Sequence, residues 1–315
     1  MSQINIKADT WDEPWQKEII QNSEYFVLAT VLEHDEHDEH DEHDEHDEHD
    51  GIKINVIKKF GSQEIGDTIL INSLSNLNLL SSSGHGTHLH FPEGQTLYFF
   101  LKKDKNGDFS IPTPSSGSAL LAPDKNVYAT YRHSYHQAVI PQEVYEKTYT
   151  EIWDYYKTSN YDKESILEFI NEYIEKSPAG FDENEVDTFF LQHAALETAY
   201  LLDIQIELEK LEKFLNSDNF HHRVSSLQLL GNSNKENVKK YLYDYVANSK
   251  NSTFEQVIAI WALERIGDKK YIDKLIFIVD ELSEEETGFG GNIMDPRIGT
   301  YFPTPRAAVE DIMNK

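Results

Sequence analysis

The run EHDEHDEHDEHDEHDEHDG, from Glu33 to Gly51, places His34, His37, His40, His43, His46 and His49 three residues apart, with an Asp and a Glu between neighbours. Imidazole nitrogen and carboxylate oxygen together suit a divalent transition metal such as Zn²⁺, Ni²⁺ or Cu²⁺. What the spacing presents depends on the backbone. A polyproline II segment would line the rings along one edge about 9 Å apart, too far to share an ion. In an α-helix, side chains three and four residues apart are neighbours, so His34, His37 and Asp38 converge on one cation, and Asp41 and Asp44 serve the following units in the same way. In a strand, successive histidines point to opposite faces. Two readings stand. One is weak, multi-site divalent binding; the other is a solvated low-complexity insertion, tolerated because loop-closure entropy grows slowly with length. Below about pH 6 the imidazoles gain charge and partly neutralise the carboxylates around them.

A second stretch, SSSGHGTHLHF, carries His85, His88 and His90. His88 and His90, at i and i+2, share one face of a strand, and His133 and His136 of YRHSYH are candidates to reach them, with Glu93 as an oxygen donor. This set defines the alternative function, a metal-dependent hydrolase. The competing reading is a Gly/Ser loop carrying surface histidines. His193, within FFLQHAAL, is expected to pack inside a helix, and His221 and His222 stand at a helix start. No glycine-rich loop leads into Lys-Ser or Lys-Thr, so a phosphate cradle is excluded.

GHGTH resembles the histidine motif of subtilisin-like serine proteases, and SGSALLAP is superficially similar to their serine motif. Only 33 residues separate His85 from Ser118. That is too few for the large α/β domain those enzymes use, and a triad needs all three roles in geometry.

Across 315 residues, 56 acids face 28 bases, a net charge of −28. The stretch 34–50 supplies eleven of the acids and no base, so the remainder still carries −17. Such a field repels phosphate backbones and favours cations or a basic protein partner; nucleic acid is not expected. There is no cysteine, hence no disulfide, thiolate metal site or cysteine nucleophile. No run approaches the roughly 18 apolar residues of a membrane span. With Met1 native and no leader pattern, the expected location is cytoplasmic; a trimmed leader would place the protein in the periplasm or at the cell surface.

Elements that would position these residues follow from periodicity. An amphipathic helix is expected over TWDEPWQKEIIQN, with Trp11, Trp15, Ile19 and Ile20 on one face. Strands are expected at YFVLATVLE, IKINVIKKF, GDTILINSL, TLYFFLKK and VYATYRHS, with IPTPSSGSALLAP as a connection. From Pro141 the period becomes helical through PQEVYEKTYTEIWDYYK, KESILEFINEYIEK, NEVDTFFLQHAALETAYLLD and IQIELEKLEKFLNS. His221, Val224, Leu227, Leu230 and Gly231 then recur 36 residues later as Val257, Ile260, Leu263, Ile266 and Gly267, which implies stacked helix pairs. Trp261 is expected beside that core. GFGGNIMDP reads as a linker to a last helix capped by Thr304 with Pro305 at its first position.

QVIAIWALERIGDKKYIDKL resembles bacterial HEAT-like repeats over Phe220 to Leu282. The strands YFVLATVLE and IKINVIKKFGS, with IGDTILI and GQTLYFFL, resemble the OB-like barrel of bacterial domains related to tissue inhibitors of metalloproteinases. Together these imply an α+β multidomain chain: an antiparallel OB-like β-barrel over 1–140 with the insertion at 34–50, then an α-helical HEAT-like domain over 141–315. The function expected from this organisation is a non-enzymatic, protein-binding scaffold whose acidic His-rich loop binds divalent metal weakly.

Overall fold

The computed structural model describes residues 11–12, 15–35, 51–72, 91–103, 106–113, 116–291 and 298–315. The chain is α+β and divides into two compact units, Met1–Tyr161 with Gly291–Gly299, and Asp162–Gly290 with Thr300–Lys315.

The first unit contains β1 (Trp11–Asp12), α1 (Gln16–Asn22), β2 (Tyr25–Asp35), β3 (Gly51–Phe60), β4 (Thr68–Ile71), β5 (Thr96–Lys103), β6 (Phe109–Ser110), β7 (Ser118–Leu121), β8 (Asn126–Ala129), β9 (Ala138–Pro141) and α2 (Gln142–Thr158). Five strands close into a barrel in the order β2-β3-β4-β6-β5, with β5 returning to β2; β7, β8 and β9 extend from β5 outside the ring. The β2–β3 hairpin runs from Phe26 opposite Phe60 to Asp35 opposite Gly51. Strand β4 pairs in parallel with β6 through Ile71 and Phe109.

Alternation along β2 and β5 explains why both read as nearly continuous apolar runs. Val27, Ala29, Val31, Leu97, Phe99 and Leu101 join Ile52 and Ile54 in the barrel core. Their neighbours point the other way, because successive strand side chains face opposite sides. There Phe26 stacks between Phe60, at 4.3 Å, and Phe100, at 4.8 Å. Helix α2 covers this outer layer with Tyr145, Tyr149 and Trp153. Its period-3.6 face therefore packs in the first unit, which runs past residue 140 to Tyr161. Lys157 at the end of α2 donates to the carbonyls of Gln21 and Ser23, at 3.1 and 2.6 Å, which ties α1 to α2.

Two expectations for this unit are corrected. The N-terminal helix starts only at Gln16, while Trp11 and Asp12 form a strand paired in parallel with Ile298 and Gly299. Within the expected connection IPTPSSGSALLAP, Ser118 to Leu121 pair with Phe99 to Thr96.

The second unit contains α3 (Lys163–Ile174), α4 (Val186–Leu201), α5 (Leu208–Leu215), α6 (Phe220–Leu230), α7 (Glu236–Ala247), α8 (Thr253–Ile266) and α9 (Lys269–Phe277). The chain then passes through β10 (Thr287–Gly291) and β11 (Ile298–Phe302) to α10 (Pro305–Met313). The expected linker thus carries two strands. Helices α4, α6 and α8 form an inner row, each against the next, while α5 packs on α6 and α7 on α8. The inner helices are buried on nearly all sides, and the outer ones keep one apolar face. The row ends in α10, which packs on α8 with Ala308 and Val309 buried. Thr304 accepts from the N–H of Ala307 and Pro305 opens the helix.

The 36-residue repeat holds at most of its apolar positions, with Val224, Leu227, Leu230, Val257, Ile260 and Leu263 buried and Ile266 only partly so. Its two glycines differ in purpose. Gly267 ends α8 with φ +69, the left-handed cap that favours glycine, and Asp268 then caps α9 through the N–H of Lys270. Gly231 has an ordinary φ of −60. A Cβ there would stand 3.2 Å from the Ala262 Cα, so this glycine lets α6 approach α8.

Trp261 is a correction as well: it is only partly buried, its ring 6.0 Å from that of Phe302, while Ile260 is fully buried. Ile260→Ala should therefore cost about 2–5 kcal/mol and Trp261→Ala on the order of 1–2 kcal/mol. Urea unfolding midpoints check the order, and a costlier Trp261 variant would contradict this packing.

Candidate functional site

The expected metal ligands fall largely outside what can be placed. Backbone pairing sets His34 opposite Ile52 at the end of the β2–β3 hairpin. Its side chain, together with His37, Asp38, His40, Asp41, His43, Asp44, His46, His49, His85, His88 and His90, lies outside the described residues. Among the described residues, no group of three or more His, Asp and Glu side chains is placed to hold a metal ion. Nor, among them, is any helix long and apolar enough to cross a membrane.

His133 and His136 sit between β8 and β9 in a loop that is itself part of the core. They are 3 % and 6 % exposed, beside Arg132 at 1 %. Trp15 meets the His133 ring edge-on at 5.3 Å, and Tyr135 stacks on it at 5.1 Å. The Arg132 carbonyl accepts from the N–H of Gln16 at 2.8 Å, and the His133 carbonyl accepts from His136 at 3.0 Å. Tyr149 donates to the Thr130 carbonyl, and Tyr131 bonds Thr148. The loop is thus pinned to α1 and α2. Glu93, the expected oxygen donor, is exposed in the turn before β5.

In the helical unit, polar groups gather in two layers. Inside, His193 and Glu197 lie one turn apart on α4, and the Ser225 hydroxyl of α6 donates to Glu197 Oε1 at 2.6 Å while standing 3.4 Å from His193 Nδ1. A serine, a histidine and a carboxylate meet here, but the hydroxyl donates to the acid rather than to the imidazole. All three are 1 % exposed, which keeps a substrate carbonyl away. On the next pair, Glu255 of α8 accepts from Arg223 of α6, at 3.0 and 2.7 Å, and from Tyr245 of α7. Burial and that bond to Glu255 push the Tyr245 phenol far up. Sequence reading placed His193 correctly inside its helix but missed Glu197 and Glu255. The one available signal was an acid standing on the apolar register of FFLQHAALETAY and of FEQVIAIW.

Outside, α7 and α9 present lysine and tyrosine. Glu236 accepts from Lys270 at 2.6 Å and from Tyr271 at 2.9 Å, bonds that hold its carboxyl down at about 2. Lys239 bridges Glu236 and Asp268. The Lys274 ammonium lies 5.0 Å from the Tyr243 ring centre and 4.7 Å from that of Tyr271. Phe277, one turn further along α9, is 85 % exposed. On this face Lys274 and Phe277 are exposed and Tyr243 is half-buried, while Tyr271 and Lys239 lie beneath them.

Two consequences are measurable. Glu255→Ala takes the carboxylate from the half-buried Arg223 and from Tyr245 and should cost on the order of 2 kcal/mol in urea unfolding; a loss under about 0.5 kcal/mol would mean the ion pair is incidental. His222 of α6 is wholly buried between Phe189 and Phe214, at 5.0 and 5.2 Å, and burial lowers its pKa from 6.5 to about 4. Between those values the unfolded chain binds a proton that the folded chain does not. The stabilisation is therefore complete above about pH 6.5 and is lost as pH falls towards 4. His222→Leu should remove up to about 3 kcal/mol of this acid dependence, and superimposable stability–pH curves for the two proteins would contradict it. Comparison of the chain with family models, with curated proteins and with solved structures finds no match, so any functional reading rests on the chain's own residues.

Proposed function

We propose that this protein is a non-enzymatic, protein-binding scaffold whose helical unit offers an extended surface, and whose His/Asp/Glu repeat binds divalent transition metal ions weakly. The observation that carries the reading is the sorting of polar groups in the second unit. Those with catalytic potential on α4 and α6 are sealed, while the solvent-facing groups lie along the outer helices. A row of helix pairs with a sealed inner layer suits contact over an area rather than chemistry in a pocket. The HEAT-like reading rests on the same stacking and on the left-handed glycine cap of α8. For the barrel, the ring order first-second-third-fifth-fourth, with a parallel pair between third and fifth, supports the OB-like reading.

With a net charge of −28, a basic partner is favoured by the long-range field. Capture from native lysate at low and high salt tests this, and absence of any salt-sensitive partner counts against the scaffold reading.

The metal proposal has its own test. Asp35 and Gly51 are paired across the hairpin, so Asn-Gly in place of residues 36–50 makes a two-residue turn that the strands accept. This variant should melt within about 5 °C of the parent. Calorimetric titration with Zn²⁺ should give several weak sites in the parent, lost in the variant and weakened as pH falls through about 6.5, because each imidazole must be neutral to donate. Identical heats from the two proteins would make the repeat a plain solvated loop.

A further inference from the structure

Resting on the protein-binding reading, we infer that Lys274 and Phe277 of α9, with Tyr243 of α7, form a docking point for an acidic polypeptide segment that carries an apolar side chain next to a carboxylate. Local charge runs against the whole. Helices α7 and α9, with the α9 cap Asp268, carry five lysines and four acids, a surplus of one positive charge in a chain of −28. Most of these lysines already have a counter-charge: Lys239 with Asp268 and Glu236, Lys240 with Asp244, and Lys270 with Glu236. Lys274 differs. Among the described residues it makes no ion pair, although acids outnumber bases two to one in the chain. It is held instead over two tyrosine rings, 5.0 and 4.7 Å from their centres.

That placement preorganises the ammonium. Two ring faces attract the cation and restrict its side chain, so an incoming carboxylate meets a charge already positioned. Tyr271 is itself fixed, buried to 2 % exposure and donating to Glu236, which makes one wall of the seat rigid. Phe277 adds the apolar half. It lies three residues after Lys274, hence on the same side of α9, and is 85 % exposed, the highest among the exposed large apolar side chains described. An exposed aromatic ring one turn from a cation that makes no ion pair among the described residues offers an apolar and a charged contact side by side.

The charge pattern chooses the occupant. A basic segment would meet Lys269 and Lys274 and be repelled at contact range, whatever the long-range field does to a whole protein. A nucleic acid brings a phosphate at every nucleotide and would be repelled by the remainder of the chain. A short segment with a few carboxylates and one large apolar residue avoids both problems: it neutralises the local surplus and buries Phe277.

Panning a random short-peptide display library against the full-length protein tests the proposal, followed by fluorescence anisotropy on the enriched peptides with parent, K274E, F277S and the double variant. Both positions are exposed, so the variants should keep the parent's melting temperature. Enriched peptides should carry Asp or Glu flanking an aromatic residue or leucine. The double variant should weaken their binding by at least about tenfold, and K274E alone should make the dependence on salt shallower. Enrichment of basic peptides, no enrichment, or affinity unchanged in the double variant would overturn the proposal. So would a parent dimer, seen by sedimentation, that the double variant dissociates, because the face would then be a self-contact. Unchanged peptide affinity with a retained protein partner removes only this face, whereas loss of every partner, peptide and protein, removes the scaffold reading with it.

Discussion

The first unit depends on the burial of Phe26 from both sides. Phe60 and Phe100 stack on its faces, and Tyr145, Tyr149 and Trp153 of α2 close over it. Because β2 and β5 alternate strictly, one set of their side chains fills the barrel and the other needs a cover; α2 is that cover. Aromatic side chains of this size dominate core energetics. Everything attached to α2 inherits its position. Tyr98 and Lys58 of the barrel bond Glu146 of α2, at 2.8 and 2.6 Å. Tyr149 holds the Thr130 carbonyl, and Lys157 holds the end of α1. The loop with His133 and His136 is consequently framework in the described structure.

A different balance rules the helical unit. Helices α4, α6 and α8 are surrounded by other helices, and any polar group on them must find a partner or stay neutral. Ser225 answers for Glu197, Arg223 and Tyr245 for Glu255, and His222 stays uncharged through a lowered pKa. These groups give the row of helices polar contacts that only one register satisfies. Helices α7 and α9 lie at the outer surface and are free of that constraint, so charge and aromatic surface accumulate there. The same physical division explains why a strongly acidic chain can carry a locally cationic face: net charge describes the far field, whereas contacts are decided within a few ångströms.

How much of this was legible depended on the length of each pattern. TLYFFLKK was read to the residue, and four of the five ring strands, the helices and the 36-residue repeat followed from their periods, whereas the two-residue β6 fell where the composition reads as a turn. Strand β7 was not legible, since four residues among Pro, Ser and Gly become a strand only because Phe99 to Thr96 lie alongside. Strands β10 and β11 escaped notice for the same reason. Trp261 beside Ile260 looked like core; which of two adjacent apolar residues faces inward is settled by the neighbouring helices.

By itself the sequence determined the chemical inventory: no thiol, an acidic field, a His/Asp/Glu tract, and two blocks whose hydrophobic periods are two and 3.6. It determined those because composition and short-range periodicity are properties of the chain. Tertiary structure alone decided which polar groups meet, namely Ser225 with Glu197, Arg223 with Glu255, and Lys274 with two tyrosines of different helices. Ser225 and Glu197, Arg223 and Glu255, and Lys274 and Tyr243 lie 28 to 32 residues apart in the chain, and nothing local encodes such a meeting. It arises when close-packed helices bring one register of side chains, and no other, into contact.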